Sequence, residues 1–404
     1  MQSEKHIAKA GILFLMSQAL SRFGSMIVSY SISWYLTMET QSGSVMAIAT
    51  LCICLPLVFV SPLGGVLADR YNRKILIIAS DLFIALATIV LAVYMILGKT
   101  ESLLLIYLVL GVRSAAEGIQ DPSILAVIPQ IVSEEKLTRF NSLQATTTSI
   151  IMLGSPALGA FLLTSWSLGN ILLIDVTTAI LASVVLLFVA VKPFVRTTEK
   201  QHFLTELKLG VLYTNNHDIL KIVIFFSGIF FFLISPAAFL TPLMVSRTFG
   251  NLVWNLTANE MAWSIGFMVG GIAMSMWGGF KNLLTSYWVG FLAIGITFIL
   301  MAIMPTFPLY LLCLFISGLF VPMTNISSTV IIQKNTETAM LGRVFSLQTI
   351  LSGLAMPLGM LLFGPLGDAI RIEWILGTCG VALALLALSL FHRTKKGIEG
   401  ITDQ

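Results

Sequence analysis

Apolar stretches of about 20 residues or more recur from end to end of the chain, each long enough to cross a bilayer as a helix. Short polar intervals separate them. The pattern predicts twelve spans, at 9–37, 43–68, 74–97, 102–128, 138–165, 168–190, 217–246, 257–280, 282–304, 307–332, 341–367 and 372–392. The longest polar interval, Lys192 to Asn216, divides them six and six. Within it Phe203, Leu204, Leu207 and Val211 recur at helical spacing, with Lys200, Glu206 and Lys208 on other faces. That predicts an amphipathic linker helix lying along the membrane surface. The expected organisation is a six-helix bundle over 1–191, a linker over 192–216, and a second bundle with a short tail over 217–404.

Composition agrees with this pattern and excludes other classes. Of 404 residues, 57% are hydrophobic and 10% charged, with a mean hydropathy of +0.95. Soluble domains carry about 25% charge, so this chain cannot cover soluble surfaces and is neither a soluble enzyme nor a disordered protein. Its net charge of +4 is spread over short loops, which gives no footprint for nucleic acid. With both termini on one side, that side collects eighteen Lys and Arg, against Lys99, Arg247 and Arg371 opposite. The bias predicts a multi-pass cell-membrane protein with both termini cytoplasmic. The first apolar run lacks a small-residue cleavage site after it and reads as a retained span.

No cofactor or metal site is expected. Cys52, Cys54, Cys313 and Cys379 all lie in apolar stretches and read as small buried hydrophobes. His6, His202, His217 and His392 are terminal or in linkers. Leu97-Gly98-Lys99-Thr100 resembles the end of a phosphate loop, but Val93 stands where the first glycine is required.

An internal repeat links the halves. Leu137-Thr138-Arg139-Phe140-Asn141-Ser142-Leu143-Gln144 enters span 5, and Leu341-Gly342-Arg343-Val344-Phe345-Ser346-Leu347-Gln348 enters span 11. Five of eight positions match at one offset of 204 residues, which points to duplicated bundles. Between spans 2 and 3 the chain reads Gly65-Val66-Leu67-Ala68-Asp69-Arg70-Tyr71-Asn72-Arg73-Lys74. The glycine is expected to let two helices approach closely. Asn72 is expected to tolerate a left-handed turn.

This loop resembles the signature Gly-x-x-x-Asp-Arg-x-Gly-Arg-Lys of the major facilitator superfamily, with Asn72 replacing the second glycine. Further stretches resemble its macrolide-efflux branch: Arg113-Ser114, Pro122 and Pro129, Glu134-Glu135-Lys136-Leu137, Asn141, Ser155-Pro156 and Leu341 to Leu347. The resemblance implies an all-α major facilitator fold of twelve membrane helices in two pseudo-symmetric six-helix bundles. It implies that spans 1, 4, 7 and 10 line a central cavity, that 2, 5, 8 and 11 form the moving interface, and that 3, 6, 9 and 12 face outward. Gly65, Asp69, Arg70, Arg73 and Lys74 would then form the cytoplasmic gate, with Asp69, Arg70 and Arg73 latching it in the outward-open state. Pro156 and Gly159 would form the antiport-type motif. On the cavity spans, Gln18, Trp34, Phe226, Phe230 and Asn325 become cargo-pocket candidates.

The expected spans place Arg22, Asp81, Arg113, Glu117, Asp121 and Asp175 inside the membrane, all in the N-terminal half. An ionised side chain at mid-bilayer costs at least ~2.5–3.5 kcal/mol, so each needs a partner or a function. Arg113, Glu117 and Asp121 share one helix face at i, i+4, i+8. At ~1.5 Å per residue, Arg22, Arg113 and Glu117 reach similar depths near the midplane. Those three, with Asp121, are the candidates for proton coupling, the other reading being a static buried salt bridge. Asp81 and Asp175 read as shallower, paired with Arg70 or Arg73 or hydrogen-bonded at a helix end.

The C-terminal half offers aromatics and thioethers instead, among them Phe225, Phe226, Phe230, Phe231, Phe232, Met261, Met268, Met274 and Met276. Such side chains suit bulky apolar molecules of varied shape. Pro122, Pro236 and Pro322 can break helices where a gate bends. The expected function is secondary export of bulky apolar or amphipathic compounds by a monomer, in exchange for protons. Export of an endogenous product such as a siderophore or lipid is the alternative, and uptake by symport comes third. A membrane-embedded enzyme would need clustered nucleophiles or metal ligands, which the sequence lacks.

Overall fold

The computed structural model describes residues 2–98, 102–132, 137–191, 203–337 and 340–402. Glu134 to Lys136, Lys99, Thr100 and residues 192–202 of the expected linker lie outside them.

Among the described residues the chain forms fourteen helices and no strand. They are α1 (Gln2–Thr40), α2 (Gly43–Arg70), α3 (Arg73–Ile96), α4 (Leu103–Ile131), α5 (Leu137–Ser165), α6 (Leu168–Leu187) and α7 (Phe203–Asn215). The second series is α8 (Asp218–Phe239), α9 (Thr241–Phe249), α10 (Val253–Trp277), α11 (Leu283–Ile303), α12 (Phe307–Asn335), α13 (Leu341–Ala369) and α14 (Ile372–Thr402). In hydrocarbon only a helix pairs all its backbone groups within one segment, which is why apolar runs of this length become helices. Short polar residues start several of them: Asn72 Oδ1 accepts from Lys74 N–H at 3.0 Å, and Asn282 Oδ1 from Leu284 N–H at 3.0 Å.

Among the described residues eleven segments are long and apolar enough to cross a membrane. The expected eighth span, α10, has 25 residues but falls short on hydropathy because it carries Asn255, Asn259 and Glu260. The expected seventh span is interrupted at Leu240, with Pro236 in the last turn of α8 and Pro242 in the first turn of α9. A proline has no N–H to donate to the turn before it. The linker helix is present as α7, packed against α13 and α8. A Cβ on Gly210 would lie 2.9 Å from the Arg343 carbonyl, so α7 sits directly on the first turn of α13.

The chain divides into two compact units, 1–39 with 48–199, and 40–47 with 200–404. In the first, α3 packs on α4 and α6. Phe14, Ile77, Ile124, Ile128, Phe140 and Leu186 form a core joining five helices. In the second, α11 packs on α12 and α14, α10 on α12, and α8 on α13. Large apolar side chains stay exposed on α3 (Leu82, Phe83, Leu86, Val90) and α14 (Trp374, Val381, Leu385, Leu388). Continuous apolar faces of this kind suit lipid rather than water.

Helices α10 and α12 meet through glycine. A Cβ on Gly266 would strike the Phe315 carbonyl, and one on Gly270 the Leu319 carbonyl. Small residues let backbones approach where no hydrophobic drive acts between helices. Gly266→Val is therefore expected to cost about 1–3 kcal/mol through overpacking. Gly271→Val, which has open space around it, should cost little by comparison. Thermal unfolding of both variants in one detergent checks the difference; equal midpoints would reject the close-approach account.

Candidate functional site

The first unit holds a polar network that starts on α1. Ser17, Ser21 and Ser25 recur every four residues and so project from one face toward α3 and α6. Ser17 donates to the Ala182 carbonyl at 2.9 Å, Ser21 to Asp81 Oδ1 at 2.7 Å, and Ser25 to Asp175 Oδ1 at 2.9 Å. Asp81 also accepts from Gln120 Nε2 at 2.6 Å. Its second oxygen is buried and has no partner among the described residues.

At the centre Arg113 Nη1 pairs with Asp175 Oδ2, and both side chains are almost fully buried. Thr88 donates to the same carboxylate oxygen at 3.1 Å. Thr88 and Ser25 add hydrogen bonds to the pair, whereas Arg113 Nη2 is buried without a partner among the described residues, so the desolvation of the guanidinium is only partly offset. This corrects the sequence reading in two respects. Arg113 is held by Asp175, not by Glu117 with Arg22, and Asp81 and Asp175 bind neither Arg70 nor Arg73. Counting along α6 could have shown it. Asp175 lies seven residues into a 20-residue helix, ~10 Å from its start and near mid-helix.

Arg22 pairs instead with Asp121, Nη2 to Oδ1 at 2.9 Å, with side chains 40% and 51% exposed. Glu117 lies one turn before Asp121 on the same face of α4 and is half-buried. The candidates therefore separate into a dry pair, Arg113 with Asp175, and a part-exposed pair, Arg22 with Asp121, with Glu117 on α4 one turn after Arg113 and one turn before Asp121. Beside Arg22, Gln18 lines a small crevice against Gln144 and Thr147 of α5. Both atoms of its amide are buried without a partner among the described residues.

The loop between α2 and α3 is tied down from both sides. Arg73 Nη2 lies 3.6 Å from Asp69 Oδ1, while its Nε and Nη1 donate to the Ala68 and Ala126 carbonyls at 2.9 and 2.8 Å. Lys74 Nζ donates to the Leu187 and Val189 carbonyls at 2.8 and 2.9 Å. Asp69 and Arg70 are exposed. Two expectations need correction here. Asn72 is extended at φ −65°, acting as the cap of α3 rather than as a left-handed turn residue. Gly65 has open space around it, and Gly64 makes the close approach, against the Gly118 carbonyl of α4.

Pro156 and Gly159 are buried in α5, and a Cβ on Gly159 would lie 3.6 Å from the Trp34 ring. Trp34 is itself buried against Tyr30, their rings 5.6 Å apart.

In the second unit Phe230 and Asn325 line a cavity of about 500 Å³ between α8, α11, α12 and α13. Phe226 does not line it and is buried in the helix packing. A chain of neutral polar groups forms one wall: Gln348 Nε2 donates to Ser328 Oγ at 2.9 Å, and Ser227 Oγ lies 3.3 Å from Ser328 Oγ and 2.9 Å from the Tyr287 hydroxyl. None of the lining residues is charged.

Sequence reasoning counted ionisable residues only in the N-terminal spans and so missed Glu260 in α10. It follows Asn259, which is buried and accepts from the Tyr310 hydroxyl at 2.8 Å. Its position inside the expected eighth span was the available signal.

Comparisons with known proteins agree with this architecture. The family model described as Major Facilitator Superfamily matches residues 14–360. Macrolide efflux protein A of Streptococcus pyogenes is 30% identical over 376 residues, covering 91% of this chain and 93% of that protein. The enterobactin exporter EntS of Shigella boydii serotype 18 is 28% identical over 344 residues, covering 81% and 78%. Among solved structures the nucleoside transporter NupG superposes with a TM-score of 0.70 over 96% of this chain and 99% of that one, at 14% identity. A membrane chain with this helix series, this signature loop and this family match over most of its length belongs to the major facilitator superfamily of transporters.

Proposed function

We propose that this transporter exports bulky apolar or amphipathic compounds, macrolides among them, in exchange for protons. The carrying observation is the Arg22–Asp121 pair at 2.9 Å, about half exposed, one turn from Glu117. A carboxylate that is not sealed off beside a guanidinium can change partner and protonation during a cycle, which a fully buried pair cannot. Arg113 and Asp175 supply the rigid frame, and Arg22, Glu117 and Asp121 the exchangeable charges. Asp69, Arg70 and Arg73 act as the cytoplasmic latch, with both termini on that side.

The charge-free cavity around Phe230 and Asn325 suits a neutral body with scattered hydroxyl and carbonyl groups, since aromatic faces supply area and amides supply hydrogen bonds. The similarity to a protein named macrolide efflux protein supports that cargo class. The similarity to one named enterobactin exporter supports the second reading, export of an endogenous siderophore.

Purified protein in proteoliposomes should drive uphill macrolide movement when a proton gradient is imposed, and stop when a protonophore collapses it at constant ATP. Uphill movement that survives the protonophore would reject secondary transport by proton exchange. Movement of a catecholate siderophore but not of macrolides would favour the second reading.

A further inference from the structure

The spacing Gly-x-x-x-Asp ends two helices, as Gly65 to Asp69 in α2 and as Gly364 to Asp368 in α13. Only the first belongs to the signature loop. The second aspartate is engaged at the other end of α2. Asp368 Oδ1 accepts from Gly43 N–H at 2.6 Å, and Oδ2 accepts from Ser44 N–H at 2.8 Å and from the Ser42 hydroxyl at 3.0 Å. The Ser42 hydroxyl in turn accepts from Val45 N–H at 3.4 Å. The opening N–H groups of a helix have no partner within it, and a carboxylate placed there also meets the positive end of the helix dipole. Asp368 therefore completes α2 from a helix some 325 residues away in sequence.

Arg247 of α9 reinforces this arrangement. Its Nη1 donates to the Gly367 carbonyl at 2.6 Å, and its Nη2 donates to the Gln41 carbonyl and lies 3.3 Å from Asp368 Oδ1. Glycine makes room for it, since a Cβ on Gly364 would lie 2.7 Å from the Gly43 carbonyl. Residues 40–47 group with the C-terminal unit, whereas α2 from residue 48 onward groups with the N-terminal unit. The first turn of α2 is thus bound by polar side chains that are about one-third exposed, 33% for Arg247 and 31% for Asp368. Water can replace hydrogen bonds of that kind at modest cost, so they can open while packed cores stay closed.

We propose that Asp368 is a gating residue of the transport cycle, clasping the first turn of α2 at the end expected to face outside and releasing it when that end opens. On α13 it mirrors the part that the family resemblance gives Asp69 on α2. The inference requires neither the cargo nor the coupling ion proposed above.

Hydrogen exchange on the full-length protein in lipid nanodiscs tests it. In Asp368→Asn an amide nitrogen replaces one acceptor and faces an N–H donor. Exchange at residues 43–47 should rise about tenfold. At the same time residues 66–70 of α2 and 341–345 of α13, ~40 Å away along the helix, should become more protected, and transport should slow. Arg247→Gln should produce the same reciprocal pattern in weaker form, and Asp368→Glu should partly restore the original one. A purely local cap would accelerate exchange at 43–47 while leaving the remote amides and transport unchanged, and that result overturns the proposal. Acceleration at both ends, which marks general loosening, overturns it equally. Should Asp368→Asn not fold, Arg247→Gln decides by the same criteria.

Discussion

Glu117→Gln is expected to abolish gradient-driven accumulation of cargo while leaving cargo binding and passive exchange measurable. The amide keeps nearly the same volume and can still hydrogen-bond, but it cannot release a proton. The geometry favours this outcome over simple destabilisation, because Arg113 already has Asp175 and Arg22 already has Asp121. Removing the Glu117 charge therefore strands neither guanidinium. Unfolding temperature, cargo affinity across pH and gradient-driven flux should be measured on one preparation. A stable variant with pH-independent binding and lost accumulation is the expected result. Intact accumulation would move the coupling role to Asp121. A variant that unfolds early and loses transport in proportion would show Glu117 to be structural.

The second large effect concerns the dry pair. Asp175→Asn takes from the buried Arg113 guanidinium the carboxylate it is hydrogen-bonded to and leaves Thr88 as its hydrogen-bond partner. Breaking a buried pair from one side typically costs about 3–5 kcal/mol, most of it the penalty of the charge left behind. Replacing both partners by apolar side chains of similar size is commonly neutral. Arg113→Met combined with Asp175→Leu should therefore regain most of what Asp175→Asn loses. Thermal unfolding of the single and double variants checks this. A double variant as unstable as the single would mean that the polar network with Ser25 and Thr88, rather than the pair itself, holds α1, α3, α4 and α6 together.

Much of this architecture is legible in the amino-acid sequence. Helix positions followed from apolar length because the bilayer leaves the backbone no other way to satisfy itself. The Gly65 to Lys74 loop carried the family, since its charges must sit at the membrane edge. Partners of the intramembrane charges were not legible. Arg113, Glu117 and Asp121 share a face in any helix, and that proximity along α4 suggested a single cluster. Their partners are decided by which neighbouring helix is near, and Asp175 arrives from α6 across 62 positions of chain. Glu260, by contrast, is legible from its position inside the expected eighth span.

The sequence by itself determined the class of the molecule: a membrane-spanning all-helical chain with a signature loop and a handful of charges inside its apolar stretches. These follow from composition and from periods of a few residues, which local physics reads directly. Only the tertiary structure decided that Arg22 meets Asp121, that Arg113 meets Asp175, that Gly64 rather than Gly65 makes the close contact, and that Asp368 caps α2. Each of these depends on which faces of distant helices pack together. Hydrophobic patterning places a residue in the membrane but leaves its rotation and neighbours open, because lipid-facing and helix-facing positions are equally apolar.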